Sequence, residues 1–477
     1  MPKLAFLFAL VVFALPTRAT AYFLSPSGND SNSGLSTGSP WLTPNHSVNC
    51  GDTLTAAAST SYSSANFGSG KWGTVTCPGN NNVAWVQCVT FAACGSSDSS
   101  IDAMKISANY WGVQGFTFTT PAGNGACIAI VPPSTVSIHH IIIANNVISN
   151  CFFSGITSAP NGSAGVDYLA IIGNAVYNAA QTSSGCQQGI SIYEPVATDS
   201  LPGTHIYIAG NFAWGNVDHN PCDGGAPTDG EGIVLDTLNG CQTSMPLPYA
   251  QQIAVVNNIT VFNGGRGTLI GGGCAGVSNT LARVYFRNIT AYGNNTDTNQ
   301  NVAGCGEIEL AGTTGTQISL SIGAAALALG CGANAIYGIS VINGDSTQSV
   351  NNSFAFGQSG QNTLNFNNPG FSFGPNLTTG VSPAFANPVK PSAPSCGSAS
   401  SVPNCMATVI ANFTPTNASA SGFGYQTPSG SPVVDALFPQ WLCSVTNFPA
   451  GLVSMGCLAA PGSGITNGSL VNGSITN

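Results

Sequence analysis

The chain has 477 residues, of which only 5% are Asp, Glu, Lys or Arg, against about a quarter in ordinary soluble proteins. Helix-favouring Glu and Lys are scarce and Gly numbers 59, which argues against long surface helices and favours a mainly β protein. The 8 basic against 17 acidic residues argue against a nucleic-acid or anionic membrane partner, and the 43% hydrophobic content argues against disorder.

The first 21 residues have the form of a secretory signal peptide. Lys3 supplies a positive start, residues 4–15 form an apolar run, and residues 19–21 (ATA) offer the small side chains that a signal peptidase reads. We predict cleavage before Tyr22 and a secreted protein, because the run is too short to span a bilayer and no later stretch is long enough. The mature chain would then carry six basic and 17 acidic residues, a net charge of about −11.

All 16 cysteines follow the predicted signal peptide, and an even number suits an oxidising compartment. Their spacings, with no His arranged beside them, do not indicate zinc sites. Sequence alone does not fix the connectivity, but short separations suggest four disulfides: Cys88 with Cys94, Cys222 with Cys241, Cys396 with Cys405 and Cys443 with Cys457. Twelve Asn-x-Ser/Thr sequons would permit glycosylation in a eukaryotic host.

Five segments of the chain repeat one pattern. Each has an apolar strand, an Asn, a second short strand and another Asn or Gly-Asn turn, and a third strand that usually opens with Gly-Ile follows. The anchoring Asn residues of the segments are Asn146, Asn174, Asn211, Asn258 and Asn288. Such a unit predicts a solenoid, because one coil cannot bury its apolar side alone and stacked coils can.

Alternation within the first strand of each unit indicates which side chains face inward. The third and fifth residues before each Asn are apolar, as at Ile141 and Ile143, and should point into the core. His140, Tyr168 and His205 fall on outward positions. We expect the repeated Asn residues to be structural, at turns where stacked amides hydrogen-bond along the solenoid.

The two ends of the chain resemble a known group of proteins. The opening YFLSPSGNDSNSGLSTGSPW with the following CGDTL, and the closing PAFANP and SGSPVVDALFP, are similar to the ends of secreted proteins of the pectin-lyase-like superfamily. With the five repeats, the resemblance spans most of residues 22–440. It implies an all-β, right-handed parallel β-helix with long loop insertions. Members mostly cleave acidic polysaccharides as lyases or hydrolases, although adhesins and phage fibres share the shape.

The resemblance also divides the chain. We expect a signal peptide (1–21), an N-terminal cap with the first coils (22–84), the parallel β-helix (85–365) and a closing segment with a Gly-, Ser- and Asn-rich tail (366–477). Asp52 and Asp435, within the opening and closing motifs, are expected to be turn or capping residues.

The segment VDHNPCDGGAPTDGEGIVLD (217–236) contains the one dense acidic patch of the sequence. Its acids are Asp218, Asp223, Asp229, Glu231 and Asp236. A long loop rooted on a rigid solenoid is where function usually lies. Glu231 directly precedes the Gly of its coil, and Gln188 and Arg266 hold the equivalent positions in the coils before and after. Since coils stack about 4.8 Å apart, these three side chains should form one column.

This column is compatible with two reactions. In a polysaccharide lyase, our leading hypothesis, Arg266 or another nearby basic group would take the C5 proton of a uronate whose carboxylate is neutralised by Ca²⁺. The metal ligands would be Asp223, Asp229, Glu231 and Asp236. In a glycoside hydrolase, a pair drawn from Asp229, Glu231 and Asp236 would serve as acid and as nucleophile or base.

A third alternative is a non-catalytic adhesin or carbohydrate-binding β-helix. The acids would then cap backbone N–H groups or hold a structural Ca²⁺, and Arg266 would only pair with Glu231. In any of these readings we expect an extracellular polysaccharide as partner, no nucleic acid or membrane, and a monomer. Like charges slow the encounter of a negative enzyme with a negative polymer, which favours either a bound Ca²⁺ or a neutral substrate.

Further candidates lie near the patch or on the outward column. His219, inside the acidic loop, is a candidate base. Gln188, together with His205 and Tyr168, is a candidate for substrate binding, although an ordinary solvated face also explains the outward column. Glu307 and Glu309 follow about one coil beyond Arg266, and one of them would extend the site while alternation turns the other away.

Overall fold

The computed structural model describes most of the chain between residues 19 and 448. The described ranges are 19–77, 82–90, 93–99, 101–121, 123, 125–181, 185–219, 229–238, 248–271, 284–300, 305–311, 315–326, 331, 335–342, 346–366, 370–396, 399, 401–427 and 437–448. The predicted signal peptide lies outside them apart from its last three residues, and Asp223 and Asp435 lie outside them as well.

Three parallel sheets run along the molecule, and successive strands of the chain enter them in turn. Sheet 1 contains Ala21–Leu24, Thr53–Ala56, Ala84–Cys88, Trp111–Gln114, Ile138–Ala144, Val166–Ile172, Thr204–Ala209, Gln252–Val256, Val284–Arg287, Gln317–Ser319 and Ser349–Asn351. Sheet 2 contains Ser59–Tyr62, Cys94–Ser97, Phe116–Thr120, Val147–Cys151, Ala175–Tyr177, Phe212–Trp214, Ile259–Val261, Thr290–Tyr292, Ile322–Ala324, Phe354–Phe356 and Thr378–Thr379. Sheet 3 contains Met104–Ile106, Ile128–Ile130, Ile156–Ser158, Ile190–Tyr193, Ile233–Asp236, Thr268–Gly271, Gly306–Ala311, Tyr337–Ile342 and Thr363–Phe366.

Other regular elements are short. Val48–Asn49 pairs with Val75–Thr76 in a separate two-stranded sheet. The α-helices are Ser64–Phe67, Val402–Cys405 and Ala407–Asn412, and the 3₁₀ turns are Gln358–Gly360, Ala418–Ala420 and Gln440–Ser444. Within the described ranges, no helix is long and apolar enough to cross a membrane.

The interior is filled by the side chains that alternation placed there. Ile141 and Ile143 are fully buried in the core, as are Ile206 and Ile208 two strands further along sheet 1. Parallel strands joined through a crossover connect right-handedly in about 98% of cases. The right-handed parallel β-helix predicted from the sequence is therefore confirmed, and it is the architecture that the resemblance to the pectin-lyase-like superfamily implied.

Buried Asn side chains form a ladder at the turn between sheets 1 and 2. Asn146 donates from its backbone N–H and its Nδ2 to Asn174 Oδ1, Asn174 donates in the same way to Asn211, and Asn211 to Asn258, at 2.9 to 3.1 Å. Asn288 does not continue the ladder. Asn288 has a left-handed backbone (φ 55°), as Asn257 has in the preceding coil (φ 57°). Asn288 is therefore the equivalent of Asn257, and the buried Ile289 takes the position that Asn258 has in the ladder.

The C-terminal part of the chain covers the outer faces of two sheets. Phe385, Val402 and Phe413 pack with the outward side chains of sheet 2. Phe438 and Trp441 pack with those of sheet 1. Neither apolar cluster includes an outward residue of sheet 3, so the C-terminal segment does not cover the outer face of sheet 3 through these clusters.

Disulfides support the loops of the solenoid. Among the described residues they join Cys50 to Cys77, Cys88 to Cys94, Cys127 to Cys151, Cys305 to Cys331 and Cys396 to Cys405. Two of the expected pairs, Cys88 with Cys94 and Cys396 with Cys405, are thus confirmed. Cys443 is also disulfide-bonded, whereas Cys457 and the expected pair Cys222 with Cys241 lie outside the described residues. No described cysteine is free, which suits an oxidising compartment.

Candidate active site on the outer face of sheet 3

A cavity of about 570 Å³ lies on the outer face of sheet 3. Its charged lining residues are Asp229, Glu231, Asp236, Arg266 and Glu309. The residues that the sequence placed in one column, Gln188, Glu231 and Arg266, stand together along one margin of this cavity. The densest acidic segment of the sequence therefore contributes Asp229, Glu231 and Asp236 to a cavity that holds several charged groups.

Close stacking of the coils explains why these side chains are adjacent. The Gly232 N–H donates to the Arg266 carbonyl at 3.1 Å, and the Gly189 N–H to the Glu231 carbonyl at 2.8 Å. A Cβ at Gly232 would lie 2.6 Å from the Gly267 carbonyl oxygen of the next coil, so only glycine permits this approach. The residue before each such Gly is therefore stacked on its equivalent in the next coil.

Arg266 lies between two carboxylates at the base of the cavity. Its Nη1 donates to Glu231 Oε1 at 3.2 Å, while Nε and Nη2 donate to Glu309 Oε1 at 3.2 and 3.0 Å. The Arg266 side chain is only 8% exposed. Burial opposes its charge, but the two carboxylates outweigh burial and raise the pKa of the guanidinium above its ordinary value. Arg266 therefore holds its proton firmly.

Glu231 is the most strongly perturbed acid of the cavity. Its burial, and next the negative charge of Asp229, raise the pKa of its carboxyl well above the ordinary value, against the opposing effect of Arg266. Oε1 contacts Arg266, whereas the buried Oε2 has no hydrogen-bond partner among the described residues. These surroundings favour the protonated form of the Glu231 carboxyl, which is the form that can give a proton to a bound molecule.

Asp229 differs from Glu231 in its surroundings. It is half-buried, and its Oδ1 accepts a hydrogen bond from Gln188 Nε2 at 2.5 Å. Its backbone carbonyl accepts a second one from Gln300 Nε2 at 2.7 Å. These contacts orient a carboxylate next to the protonated Glu231. Two neighbouring acids in such different environments are the usual arrangement for acid and base roles.

The opposite margin and the floor of the cavity are set by the strand register. Tyr193 and Asp236 are direct neighbours at the carboxyl ends of their strands. Between the margins, Ser191, Val234 and Leu269 follow one another across the sheet and form the floor. Asp236 is half-buried and accepts a hydrogen bond from the Thr237 hydroxyl at 2.9 Å. The cavity thus combines hydroxyl, amide and carboxylate groups with an apolar floor.

Two acids of the CGEIEL segment have different positions. Alternation is not the cause, because residues two apart lie on the same face of a regular strand. Glu309 reaches the cavity, where Oε2 also accepts from Ser340 Oγ at 2.8 Å and from the Gly306 N–H at 3.1 Å. Glu307 instead ends a second Asn ladder, because both the backbone N–H and the Nδ2 of Asn294 donate to its carboxyl. Burial raises the pKa of Glu307 to about 8.

His219 is not among the lining residues of the cavity. Its side chain is 69% exposed, and Nδ1 lies 3.0 Å from Asp297 Oδ2. Asp218, the first acid of the patch, accepts a hydrogen bond from the Gln187 N–H at 2.8 Å and so supports the neighbouring coil. The expectation that His219 acts as a base in this site does not match its position.

The outward column of sheet 1 requires a correction. His140, Tyr168 and His205 stack on one another as expected, with ring centroids 4.5 and 3.9 Å apart. All three are buried, because Trp441 of the closing segment packs edge-on against His140 and Tyr168. His205 is further held by Asp167, 3.0 Å away. The prediction that His205 and Tyr168 contact a substrate is therefore wrong for this arrangement. The column instead packs against the C-terminal segment.

The expected Ca²⁺ ligands do not form a recognisable metal site. Within the described part of the chain, no three His, Cys, Asp or Glu side chains are grouped so that they could hold a metal ion. Metal ligands must be deprotonated, whereas burial raises the pKa of the Glu231 carboxyl and its Oε1 accepts a hydrogen bond from Arg266. Asp223 lies outside the described residues. The donor set that is described does not fit Ca²⁺.

Tyr193 and Gln187 also line the cavity, although the sequence did not single them out. For Tyr193 a signal was available. Alternation from the inward Ile190 and Ile192 places Ser191 and Tyr193 on the outer face. For Gln187 no such signal existed, because its position depends on the Ser154 hydroxyl, which donates to its Oε1 at 2.9 Å.

Comparison with known proteins finds structural similarity at low sequence identity. No protein-family model matches the chain, and no curated protein matches its sequence. Among solved structures it is similar to pectate lyase Pel9A, with 16% identity, 77% of this chain and 83% of that chain covered, and a TM-score of 0.42.

Two further solved structures are similar at the same level. The Azotobacter vinelandii mannuronan C-5 epimerase AlgE4 A-module has 12% identity, covers 76% of this chain and 90% of its own, and has a TM-score of 0.29. The GH136 lacto-N-biosidase from Eubacterium ramulus has 12% identity, covers 70% of this chain and 56% of its own, and has a TM-score of 0.31. Likeness at this level carries no argument about activity.

Proposed function

We propose that this protein is a secreted enzyme that hydrolyses glycosidic bonds in the cavity on sheet 3, with Glu231 as the proton donor and Asp229 as the ionised partner. The observation that carries the proposal is the pairing of these two carboxyls. Burial and the negative charge of Asp229 raise the pKa of the Glu231 carboxyl and favour its protonated form, while Asp229 is half-buried and held by Gln188. Retaining and inverting glycosidases both require one protonated and one ionised carboxyl at the scissile bond.

In the proposed reaction, the Glu231 carboxyl gives its proton to the glycosidic oxygen as the bond from that oxygen to C1 breaks. The oxygen of a water molecule forms the new bond to C1. In an inverting reaction, the proton that this water loses passes to the Asp229 carboxylate. In a retaining reaction, Asp229 first forms a covalent bond to C1; water then displaces Asp229 as a carboxylate, and the proton of the water passes to the ionised Glu231. Arg266 touches the Glu231 oxygen that is not the proposed donor and orients the carboxyl as a positioning residue.

This proposal reverses the ranking of the two reactions that the sequence left open. A lyase needs a group that takes the C5 proton, and Arg266 or another nearby basic group was the expected one. Although burial opposes its charge, the ion pair with Glu309 raises the pKa of Arg266, so Arg266 is a poor proton acceptor here. A lyase also needs a cation for the uronate carboxylate, and the described acids do not form a site for Ca²⁺. No step of the proposed reaction depends on a metal.

The test is incubation of the purified protein with a panel of neutral and acidic glycans, followed by assays for new reducing ends and for ultraviolet absorbance. Hydrolysis gives reducing ends without the absorbance of a C4–C5 double bond. Products that absorb in proportion to the reducing ends would show β-elimination and reject the proposal. Binding of glycans from the panel without cleavage would instead favour a carbohydrate-binding β-helix.

A further inference from the structure

We infer that the cavity on sheet 3 accepts a glycan that carries no carboxylate on the units in contact with Asp229 and Asp236. The inference deepens the proposed function and rests on it. It follows from the balance of charge around the cavity, from the engagement of Arg266, and from the kinds of side chain that remain available to a ligand.

The charge balance of the lining is acidic. Four of the described lining side chains carry carboxyl groups, at Asp229, Glu231, Asp236 and Glu309, and Arg266 is the only cation among them. Glu309 is ion-paired with Arg266 at 3.0 Å. If Glu231 is protonated, Asp229 and Asp236 leave the cavity net negative. A carboxylate that entered it would meet like charge at short range in a partly desolvated site.

Arg266 cannot offset this balance for a ligand. Three of its N–H groups are directed to Glu231 and Glu309, and its side chain is 8% exposed. A bidentate grip on a ligand carboxylate would require these buried ion pairs to break, which leaves Glu309 unpaired in the protein interior. The one cation of the cavity is therefore engaged with the protein itself.

Other basic residues do not change the balance. Lys105 is the next one along the outer face of sheet 3, and it lies two strands from Thr157, the nearest lining residue in its column. Two strands correspond to about 10 Å, roughly one Debye length at physiological salt.

The remaining lining groups suit an uncharged sugar. Gln188, Ser191, Tyr193 and Thr237 bring amide and hydroxyl groups that exchange hydrogen bonds with sugar hydroxyls. Half-buried carboxylates such as Asp229 and Asp236 accept strong hydrogen bonds from hydroxyl donors. Val234 and Leu269 supply an apolar floor for the C–H face of a ring.

The experiment measures binding rather than cleavage, so that the charge assignment is tested separately from the chemistry. The Glu231→Gln variant is titrated at 0.15 M salt against matched polymers: polygalacturonate, polymannuronate and glucuronan, each beside its carboxyl-reduced neutral form, together with a panel of natural neutral glycans. We expect the ligands that bind to be neutral, with at least a tenfold weaker affinity for the acidic member of any pair that binds. Asp236→Asn should reduce the difference in affinity between the acidic and the neutral member of a pair.

Two other outcomes of this titration would each overturn one of the claims above. Equal or tighter binding of the acidic member of a pair, without added divalent cation, would overturn the charge assignment and leave glycan cleavage standing. Binding of no glycan at all by the folded variant and by the wild-type protein would overturn the proposed function together with the inference. Glu307→Gln, a buried Glu outside the cavity, is the matched control and should bind like the wild type.

Discussion

Arg266 Nε and Nη2 both donate to the same oxygen, Oε1, of Glu309, although 43 residues separate the two in the chain. The contact bridges adjacent strands of sheet 3, since Thr268–Gly271 pairs directly with Gly306–Ala311. Arg266 also donates to Glu231 of the preceding coil. One guanidinium therefore ties three consecutive coils together beneath the cavity and holds the proposed proton donor in place.

Replacement of Glu231 by Gln should remove most of the cleavage activity. The amide keeps the shape of the side chain but has no acidic proton to give, and general acid catalysis typically contributes about 10² to 10⁴-fold in rate. The measurement is kcat on whichever glycan the wild-type protein cleaves. Glu307→Gln is the control, because Glu307 is equally buried but binds Asn294 outside the cavity. Equal losses in both variants would contradict the role of Glu231.

The neighbours of Glu231 should shift the alkaline limb of the pH–rate profile in opposite directions. Asp229 raises the pKa of the Glu231 carboxyl and Arg266 lowers it. The proton donor is active below its pKa, so Asp229→Asn should move the limb to lower pH and Arg266→Gln to higher pH. Asp229→Asn should also lower the rate, because it removes the proposed base.

Arg266→Lys is the control for that experiment, since it retains the charge while it loses the fork to Glu309. Its alkaline limb should stay near that of the wild type, although its stability should fall. Shifts in the same direction for Asp229→Asn and Arg266→Gln would contradict the assignment of the limb to Glu231.

Thermal stability should decrease as the pH rises from about 5 to about 8. Burial raises the pKa of Glu307 to about 8, against about 4.3 in the unfolded chain. A carboxyl whose folded pKa is raised contributes its full stability below the unfolded pKa and loses it as the pH rises through the folded pKa, at about 1.4 kcal/mol per unit. In Glu307→Gln the melting temperature should depend less on pH over this window. An unchanged slope would show that Glu307 does not titrate there.

The Asn ladder should be essential to stability. Asn211→Ala removes the acceptor of Asn174 and the donor to Asn258 in a fully buried position. Buried polar groups left unpaired cost about 1 to 3 kcal/mol each, so the melting temperature should fall by several degrees. Asn288→Ala is the comparison, because Asn288 lies outside the ladder and its side-chain Nδ2 donates to the Gly424 carbonyl instead. A similar fall in melting temperature in both variants would mean that the ladder does not contribute more to stability than the hydrogen bond of Asn288.

Chelation should leave the activity unchanged. The proposed reaction uses carboxyl groups alone, and the described acids of the cavity are not grouped for a metal. The measurement is the cleavage rate with and without an excess of EDTA, after dialysis against the chelator. A loss that Ca²⁺ restores would return the lyase hypothesis to first place and place Asp223 among the ligands.

The solenoid itself was readable from the sequence because its determinants are local and repeated. Alternation with a period of two decides which side chains of a strand point inward, so Ile141, Ile143, Ile206 and Ile208 could be assigned to the core. Asn at one fixed position in successive coils predicts a ladder. Asn288 was misplaced by one residue, because Asn257 and Asn258 are both Asn and the pattern alone does not distinguish the turn position from the ladder position.

Stacking also made part of the site readable. Gln188, Glu231 and Arg266 each precede the Gly of their coil, and a parallel helix brings equivalent residues of adjacent coils together. Alternation places Glu307 and Glu309 on the same face of a strand, so it did not predict that Glu309 lines the cavity while Glu307 does not. That difference depends on the contact of Glu307 with Asn294 and on the register with Thr268–Gly271.

Long-range packing settled the rest. Period-two alternation places His140, Tyr168 and His205 on an outer face, but it does not show whether that face remains in water. Phe438 and Trp441, more than 200 residues further along the chain, close it. The order of proton affinities at Glu231, Asp229 and Arg266 likewise depends on burial and on distances between charges from different coils. Local sequence encodes strand periodicity, whereas desolvation depends on which distant segments pack together.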